Sequence, residues 1–139
     1  MEPMPFLPLR LQPGVDLRRA LEAAVANQGC EAGFVVSGIG SLGTARLRLA
    51  AAAQMLELDG ALEVLTLAGS VAVNGSHLHA SLADDHGRVL GGHLGYGCLV
   101  RTTAEVLLAL LPQWHFSREP DAATGYDELA LRRRGAPPG

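Results

Sequence analysis

Four of the five histidines lie between Asn74 and Cys98, and three are spaced so that they can meet. His77 and His79 alternate with Leu78 and Ala80, so on a β-strand both imidazoles leave the same face. A return strand through Gly91-Gly-His-Leu94 brings His93 back toward them. Three neutral imidazoles on a surface of small residues suit a divalent metal, zinc first. They leave a fourth position for water, a ligand or a neighbouring subunit.

The turn decides whether the three converge. Asp84-Asp-His-Gly87 places a glycine where a left-handed conformation is needed. A three-residue loop, 85–87, is a type I turn closing on a glycine bulge and pairs Asp84 with Arg88. That register sets His79 opposite His93 and His77 opposite Gly95. His77, His79, Ser81, Gly91, His93 and Gly95 then share one face. Leu78, Ala80, Leu82, Leu90 and Leu94 share the other. A four-residue loop would slip the pairing by one and carry His93 to the opposite face. Opposed β-carbons sit about 4.5–5.5 Å apart, close enough for two imidazoles to share an ion. The competing reading makes the histidines polar residues of a half-exposed or interface strand. His86 falls in the turn, where water solvates it. His115, between Trp114 and Phe116, reads as packed or hydrogen-bonded rather than as a ligand.

The elements that must hold this hairpin can be read along the chain. Residues 6–11 form a first strand, ended by Pro13-Gly14. Asp16 caps a helix through Asn27, with Leu17, Ala20, Leu21, Ala24 and Val25 at helical spacing and Gly29 as the stop. Residues 32–39 suit a buried strand, and 44–50 alternate as a second strand with Leu47 and Leu49 on one side. Asp59-Gly60 predicts a hairpin turn between strands 55–58 and 62–67. Strands over 71–82 and 88–100 follow. Residues 103–111 fit helix or strand equally well. A turn near 123–125 precedes a last alternating segment, 126–132. One helix and many hairpin-linked strands make an α+β domain with a mostly antiparallel sheet.

Composition bounds the function. The 139 residues suit one domain, with a core over about 6–132 and a frayed tail at 133–139. No apolar run is long enough to span a membrane, and residues 1–6 lack the pattern of a secretory signal. Cys30 and Cys98 read as reduced core thiols of a cytoplasmic protein. All eleven basic residues are arginine, which excludes Schiff-base chemistry, a lysine general base and a phosphate-loop lysine. A net charge of −3 gives no global attraction to nucleic acid. Local phosphate contacts would fall to Arg46 and Arg48 on one strand and to Arg132, Arg133 and Arg134. Gly38-Ile-Gly-Ser-Leu-Gly43 matches a dinucleotide-binding pattern. A strand, Arg46-Leu-Arg-Leu49, follows it where that fold needs a helix, so it reads as a glycine-rich turn and NAD binding is rejected.

Several segments in this order are similar to the plant-and-prokaryote-conserved (PPC) domain: Ser37-Gly-Ile-Gly-Ser-Leu42, Gly60-Ala-Leu-Glu-Val-Leu-Thr-Leu-Ala-Gly69, His77-Leu-His-Ala-Ser-Leu82, Gly91-Gly-His-Leu94, Gly97-Cys98 and Thr102-Thr-Ala-Glu-Val106. The likeness runs from about residue 9 to 131. It implies an α+β fold, a strand at 103–110 and a homotrimer. In plant members the domain accompanies an AT-hook and serves trimerisation and contacts with nuclear proteins. Stand-alone prokaryotic members are commonly labelled candidate DNA-binding proteins. The plant interaction motif corresponds to Gly60, Leu62, Glu63, Val64 and Leu65, with Ala61 in place of its arginine. No Arg-Gly-Arg-Pro hook occurs in the 139 residues. Histidines matching His77, His79 and His93 hold a metal in some members.

Two functions follow as expectations. The first is a trimeric regulatory module that binds DNA or a protein and is not an enzyme. The second is a metal-dependent enzyme or small-ligand binder built on the three histidines. The only polar neighbour that sequence places beside that site is Ser81, with Glu105 or another subunit as further sources of an acid or base.

Overall fold

The computed structural model describes residues 5–137. Its elements are β1 (Phe6–Leu11), α1 (Leu17–Asn27), β2 (Gly33–Arg48), β3 (Met55–Ala72), β4 (Gly75–Ala83), β5 (Val89–Leu94), β6 (Leu99–Leu110), β7 (Trp114–Pro120) and β8 (Asp127–Arg133). Six strands form one antiparallel sheet in the order β1-β6-β2-β3-β4-β5, while β7 and β8 make a separate hairpin. The far end of β2 also pairs with β5 through Leu47–Leu94 and Arg48–His93, so β2, β3, β4 and β5 close on themselves. The α+β, mostly antiparallel architecture with one helix is as expected.

α1 begins where Asp16 accepts the Arg19 N–H at 3.1 Å, and Gly29 follows its end at φ +71°. Its apolar stripe, Leu17, Leu21 and Val25, is buried against the sheet. Leu42, Leu47, Leu62, Leu78, Leu82, Leu94 and Leu108 fill the rest of the core. Among the described residues no helix is long and apolar enough to cross a membrane.

Length is where sequence and structure differ. Residues 32–39 and 44–50 are not two strands joined by a glycine turn. Residues 33–39 and 44–48 of them belong to one sixteen-residue strand that ends at Arg48, and Gly38 to Gly43 lie within it. Alternation also leaves Phe34, Val36 and Ile39 exposed, so the segment is buried on one face only, and Leu49 is exposed beyond the strand end. Asp59-Gly60 is likewise not a hairpin turn. β3 runs through it, and the pairing steps from Leu42–Leu62 to Thr44–Asp59, which leaves one extra residue on β3. Gly60, at φ +128°, serves a β-bulge. The segments 71–82 and 88–100 are each divided instead, by a two-residue turn at Val73-Asn74 and by a bend at 95–98. Residues 103–110 are strand, part of β6. The tail is anchored further than expected: Arg133 closes β8, and the Arg134 N–H donates to the Gln113 carbonyl at 2.8 Å. Positions 1–4 and 138–139 lie outside the described residues.

Candidate metal centre

The β4–β5 hairpin takes the register that brings the histidines together. The Asp84 N–H donates to the Arg88 carbonyl at 2.9 Å, and the Gly87 N–H to the Asp84 carbonyl at 3.0 Å, with Gly87 at φ +77°. The Asp84 carboxylate fastens the loop by accepting from the His86 and Arg88 amides, each at 2.9 Å, and from Arg88 Nε at 3.0 Å. Those donors hold its carboxyl below the usual range, the Arg88 amide foremost. Pairing then runs from Ala83–Val89 to His79–His93. It stops there, because the Gly95 N–H turns to the Arg46 carbonyl at 2.8 Å, so His77 has no ladder partner on β5. Leu78, Ala80, Leu82 and Leu94 are buried as expected. Leu90 is exposed, since β5 meets β2 only at its other end.

His77, His79 and His93 each offer a ring nitrogen within 4.8 Å of the others. The His77 and His79 Nε2 atoms are 3.1 Å apart. Two ligands on a tetrahedral zinc at 2.0–2.1 Å stand roughly 3.3 Å apart, so the donor set fits that ion with small ring rotations. The His77 and His93 rings are stacked at 5.1 Å, and His79 meets both edge-on. Burial pushes His77 and His93 below the ordinary imidazole range. Arg118 is the next cause for His77 and Arg48 for His93. Neutral rings keep the lone pairs that a metal needs.

The hairpin's backbone is held by neighbours without a local signature in sequence. Arg18 of α1 donates to the Ser76 carbonyl at 2.8 Å and the Leu94 carbonyl at 3.3 Å, fastening β4 and β5 beside His77 and His93. Glu22 accepts from Ser76 Oγ at 2.9 Å and from Tyr96 at 2.8 Å. The β7–β8 hairpin adds Arg118, Asp127 and Glu128 to the hollows around the cluster. Asn74 grips the Arg118 backbone reciprocally, at 2.7 and 2.9 Å.

The remaining candidate residues are dispersed. Arg46 lies 3.2 Å from Glu57 as an ion pair, and Arg48 borders the histidine hollows. Arg133 covers Trp114 at 4.9 Å, and Arg134 lies 3.6 Å from Glu31. Arg132 is half-buried on β8. Of the interaction motif, Leu62 and Val64 are core residues, which leaves Gly60, Glu63 and Leu65 outward. Ser81 Oγ is engaged with Thr66 Oγ1 at 2.6 Å, and Glu105 sits on β6 opposite Ile39. His86 is exposed beside Asp85, and His115 Nδ1 meets Glu31 at 2.7 Å. Cys30 and Cys98 are buried free thiols, and burial pushes both up.

Comparison with known proteins places this geometry among relatives. A protein from Salmonella described as hypothetical shares 40% identity, with a TM-score of 0.88 over 93% of this chain and 94% of its own. A metal-containing protein from Archaeoglobus fulgidus shares 28% identity, with a TM-score of 0.77 over 93% and 95%. A candidate DNA-binding protein from Bacteroides thetaiotaomicron has the same fold at 19% identity, with a TM-score of 0.81 over 94% of each chain. Two Synechococcus proteins named bifunctional protein GlmU are 48% and 50% identical over 94% and 91% of this chain. The chain spans only 22% and 20% of their length. The Plants and Prokaryotes Conserved (PCC) domain matches residues 2–112, and the chain belongs to that family.

Proposed function

We propose that this PCC domain is a metal-centred ligand-binding module that works as a homotrimer, with zinc held by His77, His79 and His93. The observation that carries it is the convergence of three ring nitrogens within 4.8 Å. The name of the Archaeoglobus relative, a metal-containing protein, supports it. Bound zinc would supply a Lewis-acidic centre with one position open to a ligand. The chain's own residues hold and orient. Arg18 locks the strand ends, burial keeps two imidazoles neutral, and Gly91 and Gly92 keep β5 close to its neighbours. Ser81 Oγ is engaged with Thr66, and Glu105 sits on β6 opposite Ile39, so the carboxylates beside the cluster are those of Asp127 and Glu128.

Zinc should raise the melting temperature of metal-free protein, as a ligand bound only by the folded state must; at a hundred times Kd the gain is about 2.7 kcal/mol. His79→Ala should abolish that rise. An equal rise in the variant would defeat the reading.

A second reading, a regulatory module touching DNA, draws on the family resemblance and on the name of the Bacteroides protein. Arg48 and Arg132 would be its phosphate contacts, repeated three times by symmetry. Affinity that falls steeply with salt would support it, and no binding at low salt would remove it.

A further inference from the structure

Two arginines beside the histidines form no ion pair among the described residues. The arginine ion pairs among the described residues are formed by Arg18, Arg19, Arg46, Arg88 and Arg134. Arg48 and Arg118 form none, yet both border the same two hollows as His77 and His93, of about 310 and 420 Å³. They approach from different elements. Arg48 ends β2, paired with His93, and Arg118 comes from β7.

Arg118 is also fixed in place. Asn74 holds its backbone, and its Nη2 donates to the Asp127 carbonyl at 2.6 Å. A carbonyl acceptor engages Nη2 and leaves the other guanidinium N–H groups free to donate. Asp127 and Glu128 line the wall as well, so the two carboxylates balance the two arginines. A divalent ion on neutral imidazoles then leaves the hollow with two positive charges. Guanidinium donors beside an open metal position suit a planar or tetrahedral oxyanion. The volumes suit a metabolite-sized molecule.

We propose that the ligand of this centre is a small organic oxyanion, a carboxylate or a phosphate ester. One of its oxygens takes the metal's open position, and Arg48 and Arg118 hold its remaining charge. The assignment rests on the zinc reading above and names the chemistry of what the site takes.

Calorimetry on zinc-loaded protein with two probes, acetate and inorganic phosphate, tests it, with zinc content measured on each sample. Saturable binding of at least one probe is expected, and the tighter probe identifies the oxyanion class. Arg48→Gln and Arg118→Gln should each weaken it by about tenfold or more, the size of one lost charge-assisted hydrogen bond, with zinc content unchanged. The two positions lie on different elements, so one variant remains informative if the other folds poorly. Zinc retained with no binding of either probe, or with unchanged affinity in both variants, overturns the oxyanion assignment alone. Zinc absent from the wild-type protein overturns the metal reading and this one with it.

Discussion

Asp84 sets the position of His93 from nine residues away. Its carboxylate accepts three donors across the loop and so selects the three-residue turn over the four-residue one. The folded-state pKa lies below the usual value of 3.8. The deprotonated form is therefore the one that folding favours. Its contribution is present above that usual value and fades as pH falls through the lower folded-state pKa. Asp84→Asn should lower stability at neutral pH and flatten its acid limb, measured by urea unfolding at several pH values between 3 and 7. An unchanged acid limb would show that the turn does not depend on this charge. The histidine alternation and the glycine of this turn are local features, which is why His79 could be placed opposite His93 from sequence. Arg18, Asn74 and Arg118 reach the same site through tertiary approach, and no spacing in the chain announces them.

The strands repeat that contrast between local and tertiary control. Asp59-Gly60 and Gly38 to Gly43 carry turn chemistry, yet both lie inside long strands. Each has a paired neighbour that continues past it, and the glycines are spent on bulges and close approach. Gly69 shows what that use requires. At φ +144° it pairs with Leu78, and a β-carbon there would run into the carbonyl of His77. Gly69→Ala should cost about 1–3 kcal/mol in chemical unfolding, the usual size of stored backbone strain, and should weaken zinc uptake by shifting β4. A cost under about 0.5 kcal/mol would mean that β3 and β4 part there without penalty. The helix was readable because Asp16, its apolar stripe and Gly29 act within one element. The lengths of β2 and β3 were not, because only their partners set them.

The whole domain presents two unlike sheet faces. α1 covers one, while the other leaves Phe34, Val36, Ile39 and Leu65 exposed by 41, 53, 54 and 47%. Apolar residues at this density on a pleated surface suit contact between copies of the chain. On the proposed homotrimer, Ile39→Glu should convert a species of three times 14.5 kDa to the monomer in sedimentation while leaving the far-ultraviolet circular dichroism unchanged. A persistent trimer would place the interface elsewhere. The same assembly would repeat the metal centre three times.

Metal analysis of purified, untagged protein, beside His79→Ala, decides the account. About one zinc per chain, lost in the variant, is the expected result for three imidazoles around one ion. Protein that carries no zinc after dialysis against it, or a His79→Ala variant that retains a full complement, would contradict the metal centre and leave the histidines as residues of a sheet surface.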